Sequence, residues 1–99
     1  MSIFDDEKLI TRELLKECGY HQVYDINEEY HKRCKNYYIN IHRAYKYRED
    51  IHYGEFYWIV YILDGGYDRW KNKVLFQGEI KTTLDLIAIE NLQYEYSRR

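Results

Sequence analysis

The stretch Glu55-Phe56-Tyr57-Trp58-Ile59-Val60-Tyr61-Ile62-Leu63 decides how this chain is read. Successive side chains of a strand point to opposite faces, so Phe56, Trp58, Val60 and Ile62 share one face while Tyr57, Ile59, Tyr61 and Leu63 share the other. Both sets are apolar, which marks the central strand of a sheet that needs cover on two sides. Upstream, residues 37–48 alternate differently: Tyr37, Ile39, Ile41, Tyr45 and Tyr47 fall on one parity, and Asn40, His42, Lys46 and Arg48 on the other. That pattern predicts a strand with one wet face, joined to the central one through a turn over 49–54. Downstream, Asp64-Gly65-Gly66 is a hairpin signal, because glycine accepts the positive φ of tight turns. A third strand follows over 69–77, with Trp70, Val74 and Phe76 on one parity and Arg69, Lys71 and Lys73 on the other.

Helices are expected on both flanks. Ser2-Ile3-Phe4-Asp5 has the form of a capping box, Ile3, Ile10 and Leu14 fall on one helical face, and Gly19 after Cys18 reads as a left-handed end. Thr82-x-x-Asp85 opens a C-terminal helix running through Leu84, Ile87 and Ala88. Residues 20–24 alternate enough to be extended, whereas Ile26, Tyr30 and Cys34 recur every four residues and favour a short helix over 26–34. The expected fold is therefore a single α+β domain over 1–99: an N-terminal helix, a three-stranded antiparallel meander and a C-terminal helix. Helix–three strands–helix is also the order of double-stranded RNA-binding domains, but Lys81-Thr82-Thr83-Leu84 replaces the Lys-Lys-x-Ala-Lys start of their last helix.

Composition narrows the function. Fifteen Lys and Arg against seventeen Asp and Glu give a net charge of −2, which identifies no polyelectrolyte partner. The longest apolar run, around Trp58 to Leu63, falls far short of the roughly 20 residues of a membrane-spanning helix. The acidic opening Asp5-Asp6-Glu7 is unlike a signal peptide, so a cytoplasmic protein without a membrane partner is expected. Serine occurs only at 2 and 97, and the glycines at 19, 54, 65, 66 and 78 match neither G-x-G-x-x-G nor G-x-x-x-x-G-K-[ST], so phosphate cradles of those two kinds are absent. His42, His52, Glu55, Asp64 and Asp68 are the acid–base groups near turns, and no spacing brings two of them together. Neither an enzyme nor a cofactor is expected.

Three constellations remain. The second apolar face, Tyr57, Ile59, Tyr61 and Leu63, demands a cover, and the expected one is a second copy of the chain in a homodimer. Segment 26–34 or the tail at Tyr94-Glu95-Tyr96 folding back is the alternative. Lys46, Arg48, Arg69, Lys71 and Lys73, interleaved with tyrosines, match what a nucleic-acid-binding sheet face requires. Cys18-x2-His21 and His31-x2-Cys34 supply the ligand types of tetrahedral zinc, against a disulfide or two free thiols.

The tracts Tyr37-Tyr38-Ile39-Asn40-Ile41 and Phe56-Tyr57-Trp58-Ile59-Val60-Tyr61, in a small chain with thirteen tyrosines and no proline, resemble in style the small orphan proteins of viruses. Filamentous viruses of hyperthermophilic archaea, such as Acidianus, and low-GC phages are the groups concerned. The resemblance implies a host-facing accessory protein that contacts a host or viral protein in the host cytoplasm and is not an enzyme.

Overall fold

The computed structural model describes residues 8–24, 28–46 and 55–97. Its elements are α1 (Arg12–Glu17), β1 (His21–Tyr24), β2 (Glu29–Cys34), β3 (Tyr37–Lys46), β4 (Glu55–Asp64), β5 (Lys73–Ile80) and α2 (Thr83–Ser97). The strands form one antiparallel sheet in the order β1-β2-β3-β4-β5. The fold is α+β with flanking helices as expected, but the meander has five strands, not three. This removes the likeness to the double-stranded RNA-binding order.

The two additional strands come from residues 21–34, where a helix over 26–34 was expected. A period of four is also a multiple of two, so Tyr30 and Cys34 share a face in a strand just as they would on a helix. The strand register decides between the two: Tyr30 lies opposite Ile41 and Lys32 opposite Ile39. Residues 25–27 lie outside the described ones, as do the capping box at Ser2 and Asp5, the turn over 49–54, His52 and Arg48.

The first helix is shorter than the pattern predicts. Lys8 to Ile10 are extended instead, and Leu9 bridges Thr82 in antiparallel fashion. Ile10 N–H donates to the Lys81 carbonyl at 2.9 Å and Thr83 N–H to the Lys8 carbonyl at 2.8 Å, forming a clasp between the two flanks of the chain. Thr11 caps α1 by accepting from Leu14 N–H at 3.1 Å. At the other end Gly19 takes φ +90°, and its N–H and that of Tyr20 return to the carbonyls of Lys16 and Leu15. This is the glycine-terminated helix end read from the sequence. On α2, the Asp85 carboxylate accepts from Lys81 N–H (2.8 Å) and Thr82 N–H (3.1 Å), the cap expected there. The inward stripe of α2 is Leu86, Ile89 and Gln93, however, and Leu84 and Ala88 face out. Gln93 is tolerated in the core because its amide donates to the Cys34 carbonyl.

Both helices lie on one face of the sheet. There Ile39, Ile41, Trp58, Val60, Ile62 and Ile80 pack with Leu14, Leu15, Leu86 and Ile89. Part of the opposite face is covered by residues 65–72, a strap joining β4 to β5 where a tight hairpin turn at Asp64-Gly65-Gly66 was expected. Gly65 (φ +100°) starts the strap, and the Asp68 carboxylate and carbonyl bind Trp70 N–H and the Asn72 side chain to close it on itself. The third expected strand thus begins at Lys73, and a bulge between Ile62 and Leu63 places Val74 and Phe76 on different faces. Among the described residues no helix is long and apolar enough to cross a membrane.

Candidate contact surface

The strap explains what covers the second face. Tyr67 stacks on the His31 ring at 4.3 Å and 19°, and Asn40 donates from its amide to the Tyr67 carbonyl at 3.0 Å. Arg69 forms a 2.5 Å ion pair with Glu29 and lies 5.7 Å above the Tyr61 ring. His42 stacks on Tyr61 at 5.8 Å. Leu63 and Asn40 are both 0 % exposed beneath this cover, so β3 has no wet face where the strap crosses it. Burial first and the Arg69 charge second push the His42 imidazole down to about 4. His31 is also shifted down, by burial and then by the neighbouring His21.

Of the expected interface set, Leu63 and Tyr61 are thus engaged by the chain itself, and Tyr57 and Ile59 stay half-buried beyond the strap. Two exposed apolar groups, Leu9 and Phe56, meet at the adjacent end of the sheet, where β4 begins. Tyr30 packs edge-on to Trp58 at 6.1 Å, and Trp58 edge-on to Phe56 at 6.4 Å. This aromatic row surfaces at Phe56, which is 50 % exposed, while Tyr30 and Trp58 are buried. The Trp58 indole N–H donates to the Ile10 carbonyl at 3.2 Å, so its one polar atom is satisfied. A cleft of about 250 Å3 lies beside the row, with Leu9, Phe56 and Tyr57 at its walls, Ile10, Trp58 and Ile80 against the core, and Glu79 and Lys81 at the rim. A second cleft of about 230 Å3 lies towards Thr11, Arg12 and Arg43. The Arg43 guanidinium sits 3.7 Å from the centre of the Phe56 ring, and both Arg12 and Arg43 pair with Glu28. The small domain therefore carries an aromatic patch suited to protein contact. Sequence periodicity missed its outer wall because Leu9 was read as part of a helix.

The cationic set is not gathered on one strand face. Arg69 and Lys71 lie in the strap, Lys73 starts β5 opposite Asp64, and the Lys46 side chain and Arg48 fall outside the described residues. Beside Arg69, which lies 4.9 Å from its indole, Trp70 is 82 % exposed.

The four zinc candidates are divided by the sheet. His21 pairs with His31 on the strap side, whereas Cys34 is three residues from His31, hence on the opposite face, packed with Cys18 against the helix-side core. No cluster of three or more His, Cys, Asp or Glu ligands occurs among the described residues, and both cysteines are free. Burial raises both thiols, which keeps them protonated and weakly nucleophilic at neutral pH. Near them, Glu90 of α2 accepts from the Tyr20 hydroxyl and from Lys32, each at 3.0 Å, and Lys32 also donates to the Cys18 carbonyl at 2.9 Å. This group ties α2 to β2 and to the end of α1. Of the acid–base candidates, His42 lies under the strap while Asp68 spends its carboxylate on Trp70 N–H, so these two do not converge.

Compared with protein-family models, with curated proteins and with solved structures, the chain matches none.

Proposed function

We propose that the chain is a small non-enzymatic interaction domain that binds a protein partner through the Phe56 end of its sheet. The observation that supports this reading is the pair Leu9, 73 % exposed, and Phe56, half exposed, on either side of one apolar cleft. Covering such groups is favourable by about 25 cal/mol per Å2 of apolar surface, and aromatic side chains beside a pocket are the usual anchors of an interface. Tyr57 belongs to the same cleft and connects it to Ile59, so part of the expected interface is retained. The partner we favour is a second copy of the chain, since two-fold homodimers are the commonest soluble assemblies. The resemblance to small viral proteins would give such a contact a host-facing setting.

Light scattering at low and high salt tests this, using the chain and its Leu9→Ser/Phe56→Ser variant. A dimer at both salt concentrations that the double substitution converts to a monomer is expected. A dimer unaffected by the substitutions would remove this surface from consideration, and a monomeric parent chain would remove the second copy as partner.

One observation favours a second reading, nucleic-acid contact. Trp70 is exposed between Arg69 and Lys71, an aromatic platform flanked by cations. Binding to a single-stranded oligonucleotide that weakens steeply with salt and is lost in Trp70→Ala would establish it; salt-independent binding would refute it.

A further inference from the structure

We propose that residues 65–72 are an acid-released cover: when His42 and His31 take up protons, the strap lifts from the sheet and bares Tyr61 and Leu63, which then continue Tyr57 and Ile59 as one apolar strip. The strap is built to move as a unit. Its internal hydrogen bonds gather on Asp68, from the N–H groups of Trp70, Lys71 and Asn72 and from the Asn72 amide, and Gly65 at φ +100° stands at its start. Tyr67 and Arg69 hold it to the sheet, and each does so beside a histidine.

Arg69 reaches the Glu29 carboxylate at 2.5 Å, and Glu29 is the direct cross-strand partner of His42. Arg69 and His42 also lie against the same ring of β4, Tyr61, at 5.7 and 5.8 Å from its centre. With the imidazole neutral, this corner holds one cation and one anion. A proton on His42 adds a second cation, which repels Arg69 and competes with it for Glu29. At the other hold, Tyr67 is stacked on the His31 ring at 4.3 Å, and its carbonyl accepts from the Asn40 amide at 3.0 Å. Nδ1 of His31 is buried without a hydrogen-bond partner, so the charged ring is poorly solvated there. Of its two cross-strand partners, Asn40 of β3 carries no charge, and His21 of β1, with its ring centre 5.9 Å away, adds repulsion when protonated.

The direction of the switch is set by burial. With the strap closed, burial first and Arg69 second hold His42 down to about 4, against a weak opposing backbone bond to Arg43, and His31 is also held below its ordinary value. Lifting the strap lets both return towards 6.5, so acid favours the open form. At His42 alone the bias between neutral and acid solution reaches on the order of a hundredfold.

The test is a 1H–15N NMR titration of the full chain from pH 7 to about pH 4, following the histidine rings, the Asn40 side-chain amide, residues 65–72 and, as control, Leu86 and Ile89 of α2. The Asn40 amide and the strap should shift together with the His42 ring, with a midpoint between 6.5 and about 4, while α2 stays unchanged. In His31→Phe/His42→Phe, which keeps a flat ring at both positions, the strap signals should hold their neutral-pH positions throughout. His42→Phe alone, the milder change, should lower the midpoint. Strap signals that stay put down to about pH 4 in the parent chain would overturn the cover, as would α2 signals moving in step with them. Release of the double variant at the parent's midpoint, or an unchanged midpoint in His42→Phe, would overturn the role given to the histidines.

Discussion

Ile62 and Leu63 are consecutive in one strand and both completely buried, yet they are buried by different means. Ile62 faces two helices across a layer of Ile39, Val60, Leu15 and Ile89, where the contacts are aliphatic and non-directional. Leu63 faces residues 65–72, a short strap held down by an ion pair, a ring stack and one side-chain hydrogen bond. A thick layer cannot settle into a gap, whereas a strap can. The helix face therefore stabilises through area, and the strap face through a few directional contacts that single groups can undo.

The sharpest way to break this comparison is to truncate both neighbours. Ile62→Ala should cost about 4 kcal/mol and Leu63→Ala about 2 kcal/mol in chemical denaturation, because residual cavity volume sets the difference within the 2–5 kcal/mol range of such changes. Equal losses would mean that the strap is as rigid as the helical layer. Next in size, Arg69→Ala should destabilise by about 2 kcal/mol, since it leaves the Glu29 carboxylate buried without its cation. Hydrogen exchange should then accelerate in residues 65–72 and in the adjoining part of β3 but not in α2.

The last test concerns pH. The His42 imidazole is held down to about 4 in the folded chain, below its ordinary 6.5. Between these values the unfolded chain takes up a proton that the native chain refuses, so its contribution to stability is complete above pH 6.5 and declines as the pH falls towards 4. Denaturation midpoints measured across this window should fall less in His42→Phe than in the parent chain. A parallel fall in both would assign the acid sensitivity to other groups.

These contrasts also account for what was legible in the sequence. The strands through Ile39 and Ile41 and through Trp58 to Ile62 were readable because strict alternation over many residues has one interpretation. Residues 20–34 were not, because spacing of four satisfies helix and strand alike and only the partner strand resolves it. The strap was hidden by Asp64-Gly65-Gly66, which has the chemistry of a tight turn but begins a longer excursion. Hydropathy misplaced its contents as well: Trp70, the most apolar-looking residue of the strap, is in water, while polar Asn40 is fully buried. The candidate contact surface was partly legible at Tyr57 and Ile59. Its outer wall was not, since Leu9 reaches it only through pairing with Thr82.

That pairing ties together Leu9 and Thr82, and beside it the Lys8 N–H bond to the Thr83 hydroxyl spans 75 positions. The hairpins of the meander close short loops, but this clasp closes nearly the whole chain, so its entropic toll is among the largest in the molecule. The cleft draws Leu9 from the clasp, Phe56 from the start of β4 and Ile80 from the end of β5. Only a fragment that runs at least from residue 9 to residue 80 contains all three. A partner that recognises this cleft therefore recognises the closed chain, and shorter pieces do not present it complete.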